Sequence, residues 1–466
     1  MSHHDHEPIN ILNETTRFEK GNALFRVLTA AGIAACAGSF GAAMALGNGM
    51  QDFLQSWVIA VMFWLSIALG SLFFVLIQHL THAGWSVTVR RLFEFVACAL
   101  PLIGVLLLPV VILSGNLYEW VNPDDAMWHH EAGEVDQHAM AAGLSDQSGQ
   151  SGQSGLHGEE STDGGASKIA DAHTRHHEQH VHLVKSKSWY LWWPYFLARY
   201  IFAFVVLSLI AWWLFRKSTD QDLTGDPAIT NKMEKRSAPS MFLFALCLTI
   251  LAFDFLMSLD PAWYSTIFGV YYFAGCVVGS MGFMILLANF LKQNGVLAKA
   301  IHTEHYHDLG KLMFAFTIFW GYIAFSQYML IWYGAIPEET AWYFMKASDD
   351  PTAWASGWNY LTLVLLFGHL LIPILGFMSR YVKRHGLGLI AWAVWMLCFH
   401  YLDLYWLVRP NFHPDAIPTA LLPADILAWL GVGALVVGVV LKMTSDYRSC
   451  AIGDPRINES LAFENH

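Results

Sequence analysis

Eight polar side chains stand within or at the ends of long apolar stretches, where their chemistry would act inside a membrane. They are Glu94, Arg199, Asp254, His369, Asp403, His79, Gln327 and Asp308. An ionisable group at the centre of a bilayer costs about 2.5 to 3.5 kcal/mol on insertion scales, so each one found there is a functional candidate. Their positions cover both halves of a membrane, as a proton path or a quinone pocket requires. We treat them as quinone-binding or proton-path candidates, and predict no catalytic residue and no metal ligand.

Arg199 is predicted to lie toward the centre of the membrane, and two acids near its outer side. Arg199 lies about ten residues inside its apolar run, too deep to reach the near surface, so we expect it to pair with a carboxylate or line a wet cavity. Asp254 and Asp403 stand among aromatic and aliphatic residues, where loss of water favours the protonated acid and makes each a candidate proton acceptor. A helix bundle also tolerates polar pairs for packing alone, and that alternative stays open.

His369 and His400 lie near the middle of their apolar runs, as does Gln327. Each histidine has two readings: a core side chain hydrogen-bonded to nearby backbone, or a group that takes part in proton movement. The residue types do not separate these readings.

The remaining candidates lie near the predicted cytoplasmic side. His79 ends one apolar run and Asp308 begins another, beside residues that we interpret as interfacial and reaching water. Glu94 is harder to explain in this way, because it lies a few residues inside an apolar run next to Arg90 and Arg91.

These residues are carried by apolar runs long enough for helices that cross a bilayer, which needs about 20 residues. Ten such runs are predicted: 24–46, 53–80, 92–113, 189–215, 240–258, 264–291, 309–333, 357–378, 387–408 and 424–441. The sequence therefore predicts an all-α integral membrane protein with about ten transmembrane helices.

The orientation follows from the distribution of Lys and Arg, which favour cytoplasmic loops. Alternate connections carry these residues, among them Arg90 and Arg91, Lys232 to Arg236, and Arg380 to Arg384. Both termini are therefore predicted to be cytoplasmic.

The same pattern divides the chain into five regions. Residues 1–22 form a polar cytoplasmic N-terminus, 23–113 hold helices 1–3, 114–187 form a periplasmic loop, 188–443 hold helices 4–10, and 444–466 form a cytoplasmic tail. The loop is rich in His, Gly and Ser, a composition that predicts disorder. Its nine histidines repeat no defined ligand spacing, so a hydrated loop with incidental metal affinity is preferred to a metal site.

Composition excludes several other classes of protein. Of the 466 residues, 55% are hydrophobic and only 14% are charged, whereas soluble domains carry about 25% charged residues. The scattered basic residues give no surface for nucleic acid. The six cysteines form no CxxC or CxxCH motif, which leaves iron–sulfur clusters and covalently attached haem without an evident anchor. A haem–copper core would need more intramembrane histidines than the chain offers, so we predict no ligated cofactor.

Four strings carry a resemblance to a known family. They are RSAPSMFLFALCLTILAFDFLMSLDPAWYSTIFG from Arg236, HDLGKLMFAF from His307, FSQYMLIWYGAIPEETAWY from Phe325 and DPRINESLAFENH from Asp454. Through them the chain resembles the ActF-type, NrfD-like (polysulfide-reductase-like) quinone-binding membrane subunits of bacterial alternative complex III. The resemblance covers nearly all of the membrane part, but not the first twenty residues or the His-rich loop.

That resemblance implies a pair of four-helix bundles with flanking helices in the bacterial inner membrane. It also implies partners: an ActC-like sister subunit, an iron–sulfur protein, c-type cytochrome subunits and, in some complexes, a terminal oxidase, besides lipids. The complex would be a quinol:cytochrome c oxidoreductase, or one using another periplasmic acceptor. This subunit would hold no redox cofactor of its own and would contribute a quinone-facing surface and a proton pathway.

Two alternatives come from other functional classes. An ion-coupled secondary transporter would show matching helices broken by Gly or Pro near the midplane, and Pro109, Pro194 and Pro373 do not pair in that way. A purely structural membrane subunit remains open.

Overall fold

The computed structural model describes residues 14–122, 182–344, 346, 354–384 and 386–464. Helices and turns make up this part of the chain, and no strand occurs in it. The histidines of the N-terminus, together with His129, His130, His176, His177 and His180 of the predicted loop, lie outside the described residues.

Ten helices in the described ranges are long and apolar enough to cross a membrane, which confirms the number of predicted runs. They are α1 (Gly21–Leu46), α2 (Met50–Leu80), α3 (Val87–Ile112), α4 (Trp193–Thr224), α5 (Pro227–Leu259), α6 (Phe268–Gln293), α7 (Thr303–Gly334), α8 (Trp358–Met378), α9 (Gly386–Asn411) and α10 (Thr419–Asp446). The described part of the chain is thus all-helical, with the helices of a multi-pass membrane protein.

Helix α2 forms the centre of the bundle and packs against α6, α10, α5 and α3. Nearly all of its side chains are buried. Contact with α6 is close because Gly70 faces the Cys276 carbonyl, where an added Cβ would lie 2.1 Å from the oxygen. Polar groups on α2 are therefore enclosed by protein rather than lipid.

Large apolar side chains cover the outside of the bundle. Ile33 on α1, Leu209 on α4, Phe325 on α7 and Leu375 on α8 are all exposed. Soluble monomers rarely expose contiguous apolar surface on this scale, so the surface fits a surrounding of lipid or neighbouring subunits.

The two described ends of the chain meet at one end of the bundle. The Phe18 N–H donates to the Thr444 carbonyl at 2.9 Å, and the Ser449 N–H donates to the Thr16 carbonyl at 2.7 Å. We call this end the terminal face, and the opposite end, where α3 leads into residues 113–122, the loop face. Which compartment each face meets stays a prediction from the distribution of Lys and Arg.

The hairpin of α4 and α5 differs from the predicted runs at both ends. Helix α5 begins at Pro227 and not near Ser240, because a polar first part extends the helix beyond the apolar run. The main helix α4 begins at Trp193, after an extended residue at Trp192, rather than at Trp189. Pro194 has no N–H to donate to the Tyr190 carbonyl, so the helix cannot continue backwards through this point.

Candidate functional site

The first candidate centre surrounds Asp403 on α9. Tyr271 of α6 donates its hydroxyl to Oδ1 of Asp403, and Trp320 of α7 donates Nε1–H to Oδ2 at 3.2 Å. The carboxyl group is buried, and within the described ranges no Lys, Arg or His lies at ion-pair distance from it. A buried carboxyl group with neutral donors and no cation can take up and release a proton without breaking an ion pair.

His369 extends this centre across α8. Its ring lies over Trp320 with the centroids 4.0 Å apart, in a π-helical turn formed by Leu366–Leu371. Such turns recur at functional sites. The ring is fully buried, yet neither nitrogen has a hydrogen-bond partner among the described side chains and backbone. Buried polar groups usually have a hydrogen-bond partner, so His369 is a buried group whose ring nitrogens remain able to form hydrogen bonds.

His400 lies one turn before Asp403 on the same helix. Its Nε2 is 2.7 Å from the Ser66 hydroxyl of α2. The imidazole fits against α6 only because Gly275 and Gly279 lack side chains, since a Cβ on them would come within 2.8 and 2.9 Å of ring carbons. The four-residue spacing of two glycines thus makes room for a polar ring in the middle of the bundle.

Gln327 lies on the loop-face side of this centre. Its Oε1 accepts a hydrogen bond from the Ser265 hydroxyl at 2.9 Å, and its Nε2 donates to the Tyr343 hydroxyl at 3.0 Å. Gln327 therefore ties α7 to the short helix Pro337–Phe344.

Beside this tie lies Lys346, which the sequence argument did not single out. Its Nζ is 3.4 Å from the ring centroid of Trp342 and 5.1 Å from that of Trp406. Burial lowers the pKa of Lys346 well below its usual value, and the Asp260 charge opposes the shift only in part. A lysine in this loop offered no sequence signal, because its enclosure depends on aromatic residues from distant parts of the chain.

Arg199 and Asp254 form a second centre near the loop face. Arg199 Nε donates to Oδ2 of Asp254 at 2.8 Å and Nη2 donates to Oδ1 at 2.9 Å, so the predicted carboxylate partner is found. Arg199 also donates from Nη1 to the Tyr190 carbonyl at 2.7 Å, the carbonyl that Pro194 leaves without a helical donor. Burial, reinforced by the Asp254 charge, raises the pKa of the Tyr190 hydroxyl.

The predicted depth of Arg199 needs a correction. With α4 beginning at Trp193, Arg199 lies in the second turn of the helix and its side chain is partly exposed. Its position is therefore closer to the loop face than the apolar run suggested.

Glu94 anchors a third centre near the terminal face. Its Oε2 lies 3.0 Å from Arg91 Nε and its Oε1 lies 3.5 Å from Arg90 Nε. Arg91 also bonds Asp222 at the end of α4 at 2.9 Å, and Arg90 bonds Asp454 of the C-terminal tail at 2.6 Å. Glu94 therefore belongs to a network of ion pairs that also contains Asp222 and Asp454.

Arg90 and Arg91 were predicted to lie in a cytoplasmic connection, and the structure places them inside α3, fully buried. The C-terminal tail provides this burial by folding over the end of α3. Ser460 accepts from the Thr88 N–H at 3.2 Å and donates to the Trp85 carbonyl at 2.6 Å. The hydropathy of one segment cannot reveal that a distant segment of the chain will bury it.

The last two predicted residues also lie toward the terminal face. His79 is buried and its Nε2 has no hydrogen-bond partner within the described ranges. Asp308 pairs with Lys311 one turn later at 2.7 Å, and that lysine is substantially exposed. The eight candidates therefore do not form one site: Asp403 and His369 share a centre, Arg199 and Asp254 share another, and Glu94 lies in a third.

A further buried charge cluster at the loop face escaped the sequence argument. Arg409 at the end of α9 forms an ion pair with Asp425. It also donates hydrogen bonds to Gln55 Oε1 at 2.5 Å and to the Ser56 hydroxyl at 2.7 Å. In the same cluster His413 Nε2 lies 2.9 Å from Asp52 Oδ1. These residues lie at helix ends, where hydropathy suggests contact with water. The one sequence signal that could have found this cluster is the presence of oppositely charged residues at the ends of different apolar runs.

No family model matches this sequence, and no curated protein matches it significantly. Within the described ranges, no group of three or more His, Cys, Asp or Glu side chains is arranged to hold a metal ion.

Proposed function

We propose that this chain is an integral membrane subunit of a quinol:electron-acceptor oxidoreductase complex of the alternative complex III type, and that it conducts protons. In this proposal the electrons travel in the iron–sulfur and cytochrome subunits, and an ActC-like subunit lies beside this one. The compartment is the bacterial inner membrane, with the terminal face toward the cytoplasm. Support comes from the four resembling strings and from ten apolar helices.

The observation that carries the proton role is the Asp403 centre. Asp403 has hydrogen-bond donors in Tyr271 and Trp320 but no cation at ion-pair distance among the described side chains. His369 stacks on Trp320, and His400 follows on the other side toward Ser66 of α2. Asp403, His369 and His400 can each accept or donate a proton, and the neighbouring side chains can form hydrogen bonds with them.

The paired centres support a different role. Glu94 and Asp254 each meet arginine, so neutralising either acid would leave a guanidinium charge unpaired. We assign these two centres to holding helices together, and Asp403 with His369 to proton movement. Gln327 would position the loop-face end of that route.

Purification tests the complex. Extraction of the chain in mild detergent is expected to bring haem-bearing and iron–sulfur subunits with it. A chain that purifies alone and moves a solute would instead support the secondary transporter.

Asp403→Asn tests the proton role in the purified complex reconstituted in vesicles. Quinol oxidation is expected to continue, while proton release coupled to it falls by about tenfold or more, a common loss when an acid–base group is removed. Asp308→Asn is the matched control, because Asp308 lies in a pair with an exposed lysine. Unchanged proton release in Asp403→Asn would leave a structural subunit as the better account.

A further inference from the structure

The hairpin of α4 and α5 carries a groove that faces the membrane near the terminal face. The groove has a volume of about 240 Å³ and is lined by Leu209, Ile210, Trp212, Trp213, Arg236 and Ser240. Its lining combines apolar and tryptophan side chains with one cation and one hydroxyl group. That combination matches a molecule with acyl chains and an anionic head.

The groove lies where both helices change from apolar to polar. The apolar run of α4 ends at Phe215, before Arg216, and that of α5 begins after Ser240. Tryptophan concentrates at this depth in membrane proteins because its ring fits the boundary between headgroups and acyl chains. A phospholipid at the groove would therefore lie at its normal depth.

Two arginines are held over the tryptophans of the groove. The Arg236 guanidinium lies 5.8 Å from the Trp213 ring centroid, and the Arg216 guanidinium lies 5.7 Å from that of Trp212. Both arginines are exposed. Within the described ranges neither pairs with a carboxylate, so both are available to a phosphate.

The acids of the hairpin are engaged elsewhere. Asp222 pairs with Arg91, Asp220 with Lys217, and Glu234 with Arg456, while Asp226 caps the start of α5. The exposed cations around the groove therefore keep a net positive field. Basic pockets between membrane helices on the cytoplasmic side of a membrane bind anionic lipid headgroups.

We propose that this groove binds an anionic phospholipid, with its phosphate at Arg236 and its acyl chain over Trp212 and Trp213, while Arg216 adds a second positive charge beside Trp212. Charge complementarity separates this occupant from a quinone, which carries no charge for the arginines to neutralise. The inference needs only a chain that spans the membrane and does not depend on the proposed redox partners.

Native mass spectrometry of the full chain, purified in mild detergent with any subunits that accompany it, tests the site, with phosphatidylglycerol and phosphatidylcholine titrated separately. Phosphatidylglycerol is expected to bind more tightly to the native protein, and Arg216→Gln and Arg236→Gln are each expected to weaken it about fivefold, since a basic residue at a membrane surface contributes about 1 kcal/mol. Arg236→Lys should keep most of the binding. Lys299→Gln removes an exposed cation of the same face outside the groove, and should change nothing.

Three results would overturn the proposal. If Lys299→Gln weakened phosphatidylglycerol binding as much as the groove variants do, the lipid would be attracted to the whole terminal face and not to one site. Equal affinity for phosphatidylcholine would show an apolar groove without headgroup recognition, and a quinone recovered from the native protein but lost from Arg236→Gln would identify another occupant. The lipid titrations do not measure quinol oxidation or proton release, so a groove without lipid selectivity would leave the proposed function untouched.

Discussion

Asp403 and Glu94 are acids buried to the same extent, each about 2% exposed, yet their neighbours differ. Glu94 lies beside Arg90 and Arg91, within 3.5 Å of both. Asp403 meets only a phenol and an indole. Burial alone therefore does not identify a proton-exchanging group in this membrane protein.

Under the proposed function, this difference gives the two centres separate tasks. An acid paired with arginine cannot lose its charge without leaving the cation buried and unpaired, which is costly. The Glu94 centre also joins α3, α4 and the C-terminal tail through Arg91, Asp222 and Asp454. An acid without a cation has no such constraint, so the Asp403 centre is free to change its protonation state.

The largest expected effect is a loss of stability when the ion pairs around Glu94 are broken. Arg91→Leu leaves Glu94 and Asp222 without that partner inside the bundle, and we expect a loss of about 3 to 5 kcal/mol in stability. The measurement is thermal unfolding in detergent. Arg384→Leu is the matched control, because the Arg384–Glu304 pair is exposed and such pairs contribute about 1 kcal/mol or less. Equal losses in both variants would contradict a structural role for the Glu94 centre.

A smaller effect is expected at Arg199 and Asp254. Asp254→Asn removes two charge-assisted hydrogen bonds at 2.8 and 2.9 Å, and we expect a loss of about 1.5 to 3 kcal/mol with proton release unchanged. The double variant Arg199→Met with Asp254→Leu removes both charges and should recover part of the stability. If Asp254→Asn lowered proton release without lowering stability, Asp254 would be assigned to proton exchange and not to holding the helices together.

The packing around His400 gives the smallest of these effects. Gly279→Ala places a methyl group 2.9 Å from the His400 ring, and overpacking of this kind costs about 1 to 3 kcal/mol. Gly41→Ala on α1 meets nothing within 4 Å and should leave stability unchanged or slightly raise it. A Gly279→Ala protein as stable as the native one, with unchanged proton release, would show that the position of His400 is unimportant.

The sequence predicts the membrane helices well because each is a local property of about 20 residues. It also predicts that Arg199 pairs with a carboxylate or lines a wet cavity, and the structure shows the first of these. The identity of the partner could not be predicted, because Asp254 lies on another helix. Nor could the Arg409 cluster, whose residues lie at helix ends and become buried only when α2, α9 and α10 pack together.

The same reasoning explains why Glu94 and Asp403 are both candidates from the sequence although their surroundings differ. Both are acids within apolar runs, and hydropathy contains no information about which side chains from other helices will face them. Arg90 and Arg91 lie four and three residues before Glu94, a spacing at which side chains of one helix can pair. Tyr271 and Trp320, by contrast, are ordinary aromatic residues of membrane helices until the fold directs them at Asp403.

The most direct test of this account is infrared difference spectroscopy of the purified complex, recorded on addition of quinol. We expect a carbonyl stretching band of a protonated carboxylic acid to change during turnover, to be absent in Asp403→Asn, and to be retained in Asp254→Asn. A band that persists in Asp403→Asn, or one that disappears in Asp254→Asn, would contradict the assignment of proton exchange to Asp403.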